Sequence, residues 1–138
     1  MRKNVTRHLP LPTTALAFAT ALAALTFAAG CDNRAERKAA AAMTHGGNAD
    51  RGKVLIDTYG CGSCHNVPGI HGADANVGPP LVHMATRTYV GGVIKNTPDN
   101  LMHWIQDAPS VDPMTGMPNL HVTSADARDI ASYLYTLR

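Results

Sequence analysis

Apolar residues recur at helical spacing in three separate stretches of this chain. Near the C-terminus, Ala127, Ile130, Ala131, Leu134 and Leu137 fall on one helical face. Leu101, Trp104, Ile105 and Ala108 make a second stripe, and Leu55 with Ile56 marks a shorter one in which Gly52 is available for close approach. Each stripe has a start signal. Thr97-Pro98-Asp99 sets a capping hydroxyl before a proline at the first helical position. Thr123-Ser124-Ala125-Asp126 resembles a capping box with aspartate in the place of glutamate. Asp50 stands where a cap would open a helix running toward Tyr59. Between the stripes lie loops rich in glycine and proline, among them Pro68-Gly69, Gly78-Pro79-Pro80 and Gly91-Gly92. No repeat or strand pattern stands out, so the expected fold class is all-α, with three to four helices.

Two N-terminal stretches fall outside this pattern. Residues 1–14 carry Arg2, Lys3 and Arg7, residues 15–30 are apolar and alanine-rich, and Cys31 follows. A basic end, a short apolar core and small residues at the cut are the order of an export signal. The apolar run is shorter than the ~20 residues of a membrane-spanning helix, which argues against a permanent transmembrane anchor. Ala28-Ala29-Gly30-Cys31 resembles a bacterial lipoprotein box with Ala28 where leucine is usual. That reading makes Cys31 a lipid attachment site and places the chain on the periplasmic side of the cytoplasmic membrane. Asp32, directly after it, resembles the enterobacterial signal for retention in the inner membrane. Residues 35–49 are alanine-rich and lack the large apolar side chains of a core. They read as a tether, with His45 solvated. The expected division is 1–30 export signal, 31–48 flexible tether and 49–138 folded domain.

Charge then changes the picture. The net charge of +2 includes the three cations of the signal, and without them the chain from Cys31 onward comes to −1. With no Lys/Arg cluster either, a nucleic-acid partner is not expected. Both phenylalanines lie in the signal, so the folded domain is short of large apolar side chains for its roughly 90 residues. A bound apolar group would supply the missing mass.

Cys61-Gly62-Ser63-Cys64-His65 names that group, because it reads as a c-type haem attachment site. Two thiols at this spacing form thioethers to the porphyrin, and the adjacent imidazole reaches the iron from one face. A thioredoxin-like redox pair would need a βαβ setting, and a zinc site would need more ligands than three cysteines supply when the third is Cys31. Candidates for the other face of the iron are Met84, Met102, Met114, Met117, His71, His83, His103 and His121. Position favours the late loop from Asp112 to Asn119, which holds Met114 and Met117 and would fold over a porphyrin without breaking a helix.

The order of these elements is similar to that of the class I, mono-haem cytochromes c, over essentially all of 49–138. The matching pieces are an N-terminal helix, Cys61 to His65, Gly78-Pro79-Pro80-Leu81, a middle helix, Met117-Pro118, and a last helix containing Asp129-Ile130-Ala131-Ser132-Tyr133-Leu134. The resemblance implies a cytochrome c fold wrapped around one haem c, covalent through Cys61 and Cys64. It implies His65 and Met117 as axial iron ligands, with Met114 as the alternative to Met117. It further implies that the Pro79 carbonyl accepts from His65, that Arg87 pairs with a haem propionate, that Trp104 packs near the methionine sulfur, and that Tyr133 packs on Gly52. Met84 and Met102 read as core packing, and the remaining histidines as solvated or structural.

A His/Met iron has no open position for substrate, and methionine raises its potential. The expected function is that of a one-electron carrier between membrane respiratory complexes, toward a terminal haem-copper oxidase, and not an enzyme. Two rivals are kept: a haem-based ligand sensor or peroxidase-like protein in which Met117 leaves readily, and the cytochrome subunit of a membrane dehydrogenase. No Ser-His-Asp spacing, phosphate loop or paired carboxylates suggest other chemistry.

Overall fold

The computed structural model describes residues 34–138. The export signal and the lipid attachment site at Cys31 lie outside the described residues. Four α-helices dominate: α1 over 34–43, α2 Ala49–Thr58, α3 Pro98–Val111 and α4 Ser124–Leu134. Single tight turns at Cys61–Ser63 and Met84–Thr86 and a small hairpin, β1 Tyr89–Val90 with β2 Ile94–Lys95, fill the connections. The hairpin was not legible as a strand pattern because each strand is only two residues long. Gly91 and Gly92 form its turn, with Val93 N donating to Val90 O at 3.1 Å. Among the described residues, no helix is long and apolar enough to cross a membrane.

The predicted stripes face inward. Ile56 from α2, Leu101 and Ile105 from α3, and Ile130 and Leu134 from α4 share one buried cluster. Thr97 caps α3 and Thr123 caps α4, with Thr123 Oγ1 accepting from Asp126 N at 3.2 Å. The cap of α2 is Asn48 instead of the expected Asp50: its Oδ1 accepts from Asp50 N and Arg51 N, while Asp50 sits in the first turn. Near its end α3 breaks at Asp107 (φ −154, ψ 73), where Pro109 lacks the N–H that would continue the helix.

Helices α2 and α4 meet at Gly52. A Cβ placed there would lie 1.9 Å from Asp129 O and 3.0 Å from Ile130 N, so only glycine lets the backbones approach this closely. The Tyr133 hydroxyl donates to Pro68 O at 2.6 Å, holding the loop that follows the Cys-x-x-Cys-His turn. Beside the crossing, Arg51 bridges Asp126 and Asp129, the Tyr59 hydroxyl donates to Asp126 Oδ2 at 2.7 Å, and Asn48 N donates to Asp129 Oδ1 at 2.8 Å.

The stretch expected to be a flexible tether is folded where it is described. Residues 34–43 are helical, as an alanine-rich run favours, and Ala40 belongs to the buried cluster. Thr44 is fully buried, its hydroxyl donating to Ala40 O at 2.8 Å. Ser132 of α4 donates to Gly47 O at 3.0 Å. Small residues here replace bulk with close approach. His45 is exposed but not free, with Nε2 3.0 Å from Asp99 Oδ1 at the start of α3.

Two outcomes follow for stability. Gly52→Ala forces a methyl into backbone and will cost about 3 kcal/mol or more, read from denaturant unfolding. The Asp126 carboxyl is held below the usual carboxylate range by the Tyr59 hydroxyl first, then by Thr123 and Arg51. Its contribution is therefore complete above the ordinary aspartate value of about 3.9 and disappears as pH falls through the lower native value. Asp126→Asn will accordingly flatten the acid limb of the thermal-unfolding profile below about pH 4.

Candidate haem site

The Cys-x-x-Cys-His segment is wound into one tight turn. Gly60 enters it in the left-handed conformation, and Cys64 N and His65 N both donate to Cys61 O, at 3.2 and 3.0 Å. Cys61 and Cys64 are free thiols, and burial pushes the Cys61 thiol up. A thioredoxin-type pair needs the opposite shift. Zinc lacks ligands as well, since no three His, Cys, Asp or Glu side chains come together among the described residues.

His65 is fixed by the loop that follows. Its Nδ1 lies 2.7 Å from Pro79 O, and because a carbonyl only accepts, Nδ1 carries the proton and Nε2 keeps the lone pair. The loop is bound back to the turn by Gly78 N donating to Cys64 O at 2.7 Å and Leu81 N to Asn66 O at 2.8 Å. Gly78 is needed for a steric reason: a Cβ there would lie 2.4 Å from His65 Cε1.

All seven residues expected at a haem line one cavity of about 470 Å³: Cys61, Cys64, His65, Pro79, Arg87, Trp104 and Met117. The rest of its wall is largely apolar, from Ile56, Met84, Leu101, Ile105, Ile130 and Leu134. Two thiols, an imidazole with a free Nε2 and a thioether in an otherwise apolar enclosure fit a porphyrin attached by thioethers and ligated by nitrogen and sulfur. Met117 is half-buried, in a loop shaped by Asp112 Oδ1 accepting from Met114 N and Thr115 Oγ1 accepting from Met117 N. Met114 is 90 % exposed and does not line the cavity, nor do Met102, His71, His83, His103 or His121. Met84 is buried and lines it, so its packing role is exercised against the cavity itself.

Arg87 lines the cavity, and one of its terminal nitrogens donates to both Pro80 O and Val82 O, so the side chain braces the loop that holds His65. Trp104 packs directly over Gly91.

Sequence reasoning missed Asn96 and Tyr135. Asn96 Nδ2 donates to Met84 O at 2.7 Å and to Arg87 O at 3.0 Å, and its Oδ1 accepts from the Tyr135 hydroxyl at 2.9 Å. Burial pushes Tyr135 up to about 12, so it stays a neutral donor. No local motif signals a bridge between partners 9 to 39 positions apart.

Apolar walls around a space of this size, left without a filler, forfeit their contacts on one side, and that loss weighs against the marginal stability of a domain. The haem-free chain will therefore be expanded and bind a hydrophobic dye, losing near-ultraviolet circular dichroism while keeping much of its helix signal. Gly78→Ala, which displaces the His65 ring, will lower the yield of haem-loaded protein on the order of tenfold, read from the Soret-to-protein absorbance ratio.

The family model named Cytochrome c matches residues 49–138. A cytochrome c oxidase subunit 2 from Alkalihalophilus pseudofirmus is 28% identical over 91 residues, which is 65% of this chain and 26% of that protein. The chain thus spans about a quarter of the length of that relative. No solved structure matches at a comparable significance. A family match across α2 to α4, with both cysteines present in the attachment turn, settles the family: the chain belongs to the cytochrome c family, whose domain carries covalent haem c and serves haem-based electron transfer.

Proposed function

We propose that this chain is a mono-haem, class I electron carrier, with one haem c attached through Cys61 and Cys64 and ligated by His65 and Met117. The observation that carries this reading is that His65 and Met117 line the same apolar cavity while Met114 and the exposed histidines do not. A haem c bound there supplies one-electron exchange between ferrous and ferric iron. The chain's residues set the conditions for it. Hydrogen bonding from Nδ1 to Pro79 O makes His65 a better donor and fixes its orientation. The Met117 thioether would give the iron a soft, neutral ligand that favours the reduced state. Ile56, Leu101 and Ile130 present apolar surface to the enclosure.

The respiratory setting is supported by the similarity to a cytochrome c oxidase subunit 2. On that basis the electron acceptor is a terminal haem-copper oxidase, with this chain as a carrier or as a subunit of the complex. The Ala28-Ala29-Gly30-Cys31 sequence supports lipid attachment at Cys31 and a place on the periplasmic face of the cytoplasmic membrane, where the acyl chains of a lipidated cysteine would hold it.

Absorption spectroscopy of the air-oxidised, haem-loaded protein tests the ligation. It will show the weak long-wavelength band of a methionine-ligated ferric haem, and Met117→Ala will lose it. Met117→His will keep six ligands but lower the reduction potential by on the order of 0.1–0.2 V, a fraction of the ~0.8 V that axial ligands span. A high-spin spectrum in the unmodified protein would overturn the carrier assignment.

A further inference from the structure

Helix α1 lies outside the span matched by the cytochrome c family, residues 49–138. Its inner side is fastened to the rest of the described chain. Ala40 and Thr44 are buried, Glu36 lies 3.7 Å from Arg138, and Arg37 is bound to Asp50 in the first turn of α2. Just beyond the helix, Ser132 holds Gly47 O and Asp99 meets His45. The helix therefore moves with the domain and is not a loose leader.

Its outer side is different. Arg34, Ala35, Lys38, Ala39, Ala42 and Met43 are all exposed. At about 100° per residue Ala35, Ala39, Ala42 and Met43 fall in one strip, and Arg34 and Lys38, four apart, form a basic row along its edge. The carboxylates at this helix are Glu36 on α1 and Asp50 on the turn of α2 that it touches, and each is bound to an arginine. Arg34 and Lys38 make no ion pair among the described residues. Asp32 precedes the helix, so from 32 to 43 three cations stand against two anions and the balance stays positive.

Chain length identifies what this face meets. Asp32 and Asn33 are all that separates Cys31 from Arg34, and three residue steps of ~3.6 Å reach at most about 11 Å. A lipid on Cys31 would thus bring the first turn of α1 to the headgroup layer, where the high effective concentration of the surface populates even a weak contact. Three alanines and a methionine bury too little to bind a bilayer unaided. The lipid holds the chain there, and the helix face decides which way the domain turns. Arg34 and Lys38 are drawn to anionic headgroups over about a Debye length, ~8 Å at physiological salt.

We propose that the exposed face of α1, with Arg34, Lys38 and Met43, rests on the anionic lipid surface to which Cys31 is anchored, and so fixes the orientation of the domain at the membrane. The inference rests on the lipid-attachment reading of Cys31.

The test uses the haem-loaded, membrane-derived protein, reconstituted in phosphatidylcholine vesicles with or without phosphatidylglycerol. Ala39→Cys supplies a thiol on the α1 strip, and Val93→Cys supplies one on the exposed turn of the β1–β2 hairpin. Haem takes up Cys61 and Cys64 and lipid takes up Cys31, so the introduced thiol is the one left to react. Modification by a polar, uncharged maleimide will be about tenfold slower at position 39 when phosphatidylglycerol is present, and will change less than about twofold at position 93. Arg34→Glu together with Lys38→Glu, or salt that shortens the Debye length from about 30 Å to about 3 Å, will return position 39 to its phosphatidylcholine rate. Equal rates at position 39 on both vesicles, in protein whose mass shows an acylated Cys31, would overturn the membrane face and leave the lipid reading standing. Slowing that survives charge reversal and high salt, or that is equal at position 93, would do the same. A mass showing Cys31 unmodified would overturn both.

Discussion

The fold depends on apolar surface gathered around a space that the described side chains do not fill. Ile56, Leu101, Ile105, Ile130 and Leu134 each present a face to the other helices and also line the cavity. Removing a filler from such a site forfeits the contacts on one side of every lining residue. A domain with no phenylalanine in its described residues has little other bulk with which to compensate. Cofactor retention and folding are therefore one physical problem here, and covalent attachment through Cys61 and Cys64 removes the loss of the group by dissociation.

Around that space the backbone of the wall is held by hydrogen bonds that cross between loops. Pro79 O holds His65, Arg87 holds Pro80 O and Val82 O, Asn96 holds the carbonyls of Met84 and Arg87, and Tyr135 of the C-terminal segment holds Asn96. The imidazole direction is thus tied by successive contacts to the helix that closes the fold. On the far side, α2 and α4 lock through Gly52 and the Arg51–Asp126–Asp129 cluster. Rigid surroundings suit electron transfer, because little then has to rearrange when the iron changes charge.

Much of this was legible locally. The attachment pentapeptide, the caps at Thr97 and Thr123, and the buried faces of α3 and α4 depend on residues a few positions apart. What escaped depends on distant partners. Asp50 was preferred as the cap of α2 because it too is a good capping residue, but Asn48 is the one whose side chain meets the free N–H groups. The tether expected over 31–48 rests on a lack of large apolar groups, whereas Ala40, Thr44 and Gly47 pack by close approach. Tyr133 reaches Pro68 across 65 positions, and Gly52 lies against the backbone of Asp129.

In the proposed ligation His65 and Met117 hold the iron from both sides and leave no position for another ligand. Stopped-flow mixing of the ferrous, haem-loaded protein with carbon monoxide at neutral pH measures that directly. Binding will be slow and nearly independent of carbon monoxide concentration, limited by departure of Met117. Rapid binding that rises in proportion to concentration would mean an open iron, and would contradict ligation by Met117.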